Sequence, residues 1–108
     1  MPDAIGALAA ALEATGIPFA QFGWSKAPAG TYGVWAEESA EDLGANGHHA
    51  ERGTIVTVDV YTREAAGAIR DSVEAALNGL PVSWRLDSIQ YENETGLVHL
   101  YWRCGVYG

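Results

Sequence analysis

Residues 56 to 80, VTVDVYTREAAGAIRDSVEAALNGL, change period part-way along. Val56, Val58 and Val60 recur at every second position, with Thr57, Asp59 and Tyr61 between them. Strand side chains alternate between faces, so Thr54 to Tyr61 specifies a strand with one apolar and one polar side. From about Arg63 to Asn78 the spacing lengthens. Ile69, Val73, Ala76, Leu77 and Leu80 fall on one stripe of a helix that Asn78-Gly79 stops and Pro81 cannot extend. A strand with one wet face next to a helix with one apolar stripe predicts a helix laid on one side of an antiparallel sheet.

The remaining segments fit that frame. Residues 3 to 14 read as a second helix, with Asp3 as cap and Ile5, Leu8, Ala9 and Leu12 on one face. Gly16 suits a left-handed cap and Pro18 blocks continuation. Phe19 to Trp24 and Tyr32 to Glu38 read as strands around a loop containing Pro28 and Gly30. Residues 39 to 53, SAEDLGANGHHAERG, lack periodicity and read as a loop. Val82, Trp84 and Leu86 share one parity, while Ile89 and Tyr91 take the other, which predicts a bulge near Asp87-Ser88. Asn93 to Gly96 reads as a hairpin turn, and Leu97 to Tyr107 as a final strand with Val98, Leu100, Trp102, Cys104 and Val106 apolar. The expectation is one α+β domain over residues 1–108: a mainly antiparallel sheet of about five strands with two helices on one face.

The net charge of −8, from 14 acids and 6 bases, repels phosphate and argues against general nucleic-acid binding. One cysteine, Cys104, excludes an internal disulfide and suits a reducing compartment. No basic segment with an apolar run resembles a signal peptide, and no run reaches the roughly 18 apolar residues of a membrane span.

Catalytic chemistry finds little support. His48-His49 lack a partner at metal-ligand spacing. His99 reads as a half-exposed sheet residue, and Glu37-Glu38, as neighbours on a strand, face apart. No serine stands in a nucleophile elbow, no glycine run forms a phosphate loop, and Cys104 alternates with core residues. The expectation is no catalytic residue, no cofactor and no metal. Four tryptophans are more than two helices can fully bury, and large aromatics are frequent at protein interfaces.

The order of several segments carries a resemblance: ALEATGIPF (11–19), PAGTYGVWAEE (28–38), the acidic loop, TVDVYTRE (57–64) and YENETGLVHLYWR (91–103). This order resembles the tail-terminator, or tail-completion, proteins of long-tailed bacteriophages and prophages, from Ile5 to about Tyr107. The resemblance implies a non-enzymatic virion protein, made in the host cytoplasm. The resemblance implies that it would form a ring, usually a hexamer, at the head-proximal end of the tail tube. Its partners would be other copies of itself, the tube protein and the head connector or head-completion protein. DNA would pass through the lumen without sequence-specific binding, and no membrane is involved.

A closed ring needs two different complementary patches on each subunit. The candidate interface or lumen residues are Glu37, Glu38, Glu41, Asp42 and Arg52 around the acidic loop, with Asp59, Tyr61, Arg63, Tyr101 and Arg103 on and beside the outward sheet positions. Acids before residue 52 and arginines after it suit an acidic loop on one subunit meeting arginines on the next. A head-completion protein of the phage neck and a small-molecule-binding α+β domain are the alternative readings.

Overall fold

The structure, a computed structural model, describes residues 3–38 and 53–107. The elements are α1 (Ala4–Glu13), β1 (Phe19–Gln21), β2 (Tyr32–Glu37), β3 (Gly53–Thr62), α2 (Ala66–Asn78), β4 (Val82–Glu92) and β5 (Leu97–Tyr107). They form one sheet in the order β1-β2-β3-β5-β4. Only the short β1–β2 pair is parallel. The expected α+β class, five strands and mainly antiparallel pairing are all present. Because β3 and β4 both run antiparallel to β5, they are parallel to each other, and α2 joins them in a β-α-β unit split by the final strand.

Alternation sets the core. Val56, Val58 and Val60 of β3 and Leu100, Trp102, Cys104 and Val106 of β5 are buried on one face. Leu8 and Leu12 of α1 and Val73 and Leu77 of α2 close over them. The polar ends of buried side chains are matched. Trp102 Nε1 donates to Glu74 Oε2 at 3.0 Å, and Arg70 Nε donates to the same oxygen at 3.0 Å. Trp84 Nε1 donates to Asn78 Oδ1 and Trp24 Nε1 to the Gly33 carbonyl. Of the four tryptophans only Trp102 is fully buried; the other three are half-buried, as two helices would leave them.

The structure differs from the sequence expectation at two boundaries. The helix expected from Arg63 begins at Ala66. Thr62 is fully buried, its hydroxyl bonds Thr31 Oγ1 and accepts from the Glu64 amide, and Arg63 turns aside to donate to the Thr95 carbonyl. These bonds hold residues 62–64 in a turn instead of a first helical turn. The strand expected to run to Trp24 ends at Gln21, because Phe22 takes a left-handed φ of 68°. Of the loop expected over residues 39–53, Gly53 begins β3 and the rest lies outside the described residues. Asp3 caps α1 through the Gly6 amide, and Gly16 has φ of 88°.

The predicted bulge is present between Leu86 and Ser88. It resolves the parity switch. Leu86 pairs with Trp102, and beyond the extra residue Ile89 pairs with Leu100 and Tyr91 with Val98. All five apolar side chains of β4 therefore lie on the helix side of the sheet. Past the reach of the helices, Ile89 and Tyr91 stay exposed.

Candidate functional site

The other face of the sheet has no helix over it among the described residues. Register builds it in rows. Tyr32, Tyr61, His99 and Gln90 form one row across β2, β3, β5 and β4. Val34, Asp59, Tyr101 and Ser88 form the next, and Ala36, Thr57, Arg103 and Arg85 the third. Four outward residues expected to lie together, Asp59, Tyr61, Tyr101 and Arg103, do so.

The face is ordered by its own contacts. Tyr61 is stacked between two rings, Tyr32 at 5.1 Å and His99 at 4.3 Å between centroids. His99 Nε2 lies 2.6 Å from Asp59 Oδ2, and its Nδ1 lies 3.9 Å from Glu92 Oε2. Tyr101 is tilted against His99 at 6.4 Å. Partial burial shapes the acids of this cluster. Burial raises the Asp59 carboxyl above its ordinary value, against the lowering pull of His99. Burial, with the nearby charges of Asp59 and Glu92, pushes the Tyr61 phenol up to about 12. The Tyr101 phenol is raised, again first by burial.

At the opposite end of the face, Arg103 Nη2 donates to Glu38 Oε2 at 3.0 Å, and Arg85 Nε meets Asp87 Oδ1 at 2.6 Å. Glu38 lies on this face beyond the end of β2, where its amide bonds the Ile55 carbonyl. Glu37 points to the other side and is exposed, so the two neighbours do face apart. Arg63 is not on this face; it sits at the end of β3 against the 93–96 turn. Glu41, Asp42, Arg52, His48 and His49 lie outside the described residues. Of the arginines expected to meet acids on another subunit, Arg70, Arg85 and Arg103 each have a carboxylate from their own chain.

Sequence reasoning passed over Tyr32, Glu92 and, as the hub of the cluster, His99. Their outward parity was readable, but the cross-strand partners were not. Among the described residues no group of three or more His, Cys, Asp or Glu side chains is placed to hold a metal ion. Among the described residues no helix is long and apolar enough to cross a membrane. Cys104 lies on the buried side, and burial pushes its thiol up to about 11. A thiol raised from 9.0 to about 11 is about 100-fold less ionised at neutral pH. Labelling with a disulfide reagent at pH 8 is expected to be at least about 100-fold slower in the native protein than in denaturant. Equal rates would place Cys104 outside the core.

No family model matches this chain, and neither does any curated protein. Among solved structures, a chain of "Virion of native gene transfer agent (GTA) particle" is similar, with 21% identity and a TM-score of 0.43. The match covers 94% of this chain and 84% of that one. A superposition of that degree assigns no role.

Proposed function

We propose that this chain is a structural subunit of a virion. In this reading it closes into a ring at the head-proximal end of a long phage tail tube, stops tube polymerisation and offers a surface for head attachment. The order of sequence segments shared with tail terminators supplies the specific role. The observation that carries an assembly role is the uncovered sheet face. Tyrosine and arginine, the residues common at the centres of protein interfaces, stand there half-buried and held by stacking and ion pairs. Ordering side chains in advance lowers the entropy cost of association. A net charge of −8 suits a ring through which DNA must pass without adhering.

The test is negative-stain microscopy of the protein alone and mixed with tail tubes from the same gene cluster. Rings, or tubes capped at one end and arrested in length, are expected. Decoration of isolated head portals with tubes ignored would move the role to the neck connector. A protein that joins neither would overturn the assembly reading.

A further inference from the structure

β4 closes one side of the sheet, so its outer backbone edge is unpaired among the described residues. Its 11 residues contain no lysine and no proline, the usual guards of an edge. Two of its large apolar side chains, Ile89 at 48% and Tyr91 at 64% exposure, stand on the helix side beyond the helices. The one guard present is the bulge, and it makes the strand read alike in both directions. Counting outward from Asp87-Ser88, Leu86 and Ile89 come next, then Arg85 and Gln90, then Trp84 and Tyr91. In a regular strand residues three apart, such as Leu86 and Ile89, face opposite ways. The extra residue brings both to the helix side, where Leu86 pairs with Trp102 and Ile89 with Leu100. A two-fold axis normal to a sheet leaves each face on its own side. An antiparallel pair of identical strands can therefore match two residues only if both share a face. About the centre of β4 that condition holds only because of the bulge.

We infer that the outer edge of β4 pairs antiparallel with β4 of a second copy, about a two-fold axis between Asp87 and Ser88. On the helix side Leu86 then meets Ile89 and Trp84 meets Tyr91, so each exposed apolar residue gains an apolar neighbour. Aromatic and branched side chains directly opposite one another are favourable cross-strand pairs. On the other face Arg85 meets Gln90 and Ser83 meets Glu92, so no like charges stand opposite. Asp87, nearest the axis, is already paired with Arg85 of its own chain. Two bulges meet at the axis, so both strands bend alike, and a bend that turns away a straight strand fits its own copy. An isologous contact requires a self-complementary patch, and this self-complementarity selects a second copy over any other extended strand. The contact is one strand wide, smaller than a standard interface, so the pair should be reversible. It is independent of the ring reading, because a two-fold contact closes on itself and builds no ring.

The experiment is sedimentation of the full-length protein over a concentration series, beside the double variant Ile89→Lys, Tyr91→Lys. Both positions are exposed, so the variant should keep the circular dichroism spectrum of the parent. The parent is expected to dimerise, and the two lysines to weaken the dimer at least about 10-fold. The register has its own test. Arg85 and Gln90 are exposed, and across the axis their Cα atoms should lie about 4.5–5.5 Å apart, within disulfide range. A mixture of R85C and Q90C chains should therefore form disulfide-linked dimers under mild oxidation, and R85C alone should not. A parent that stays monomeric throughout the series overturns the inference and leaves the ring reading untouched. An assembly of any size that the two lysines leave as strong overturns it too. A dimer that the lysines weaken, but in which R85C links to itself or the mixture fails to link, overturns the two-fold register.

Discussion

Trp102→Ala is expected to unfold the protein or bring it close. Trp102 has no exposed surface and sits mid-sheet, directly opposite Val58 on β3 and Leu86 on β4. Removing a buried tryptophan costs about 3–5 kcal/mol, through lost apolar contact and the cavity left behind. Small domains have total stabilities of roughly 5–15 kcal/mol. At about 4–8 °C per kcal/mol, the melting temperature should fall by roughly 12–40 °C. Trp102→Phe separates the two contributions. It keeps an aromatic ring in the core but removes the donor to Glu74, which retains Arg70. Its cost should be nearer about 1.5–3 kcal/mol, the range for one hydrogen bond to a charged acceptor. Calorimetry of both variants checks the order. Equal losses would mean that the Trp102–Glu74 bond, and not packing, dominates.

Gly33→Ala should be the next most damaging change, although it adds one methyl group. Gly33 pairs with Phe19 across the parallel β1–β2 ladder. A Cβ at Gly33 would stand 2.2 Å from Phe19 Cε1 and within 2.6 Å of two further ring carbons. The ring cannot swing freely away, because Phe19 is 8% exposed and packs in the core. Overpacking of this kind costs about 1–3 kcal/mol. The clash is with one side chain, so Phe19→Leu should soften it. A double-mutant cycle should return a favourable coupling between the two changes, within the roughly 0.5–3 kcal/mol seen for contacting residues. Additive losses would show that Gly33 is needed for its backbone and not for the space it leaves.

Much of this fold is written locally. The two-residue period of 54–61 and the stripe of Ile69, Val73, Leu77 and Leu80 each follow from side-chain direction, and both face the core as read. The bulge in β4 was legible because an extra residue must shift parity, and the apolar residues shift at that point. Boundaries fared worse where a side chain competed with the backbone, as Thr62 does before α2. The site was half legible. Alternation placed Asp59, Tyr61, Tyr101 and Arg103 outward, but nothing local sets the register that brings His99 to Asp59 across 2.6 Å. Nor does it show that β5 lies between β3 and β4. That depends on pairing between segments far apart in the chain. The placing of Arg85 opposite Arg103 was hidden for the same reason.

The position of β5 also dictates an order of events. The strand at the centre of the long ladders is the last one in sequence. Until it pairs, the apolar stripe of β3 has a neighbour on one edge only, and β4 has none. The β4–β5 hairpin, closed by the Asn93–Gly96 turn, can form from local contacts, whereas β3–β5 pairing must first close the loop that contains α2. Contact order therefore favours the β4–β5 hairpin forming before it reaches the edge of β3, and its arrival there brings the core tryptophan into place in the same movement.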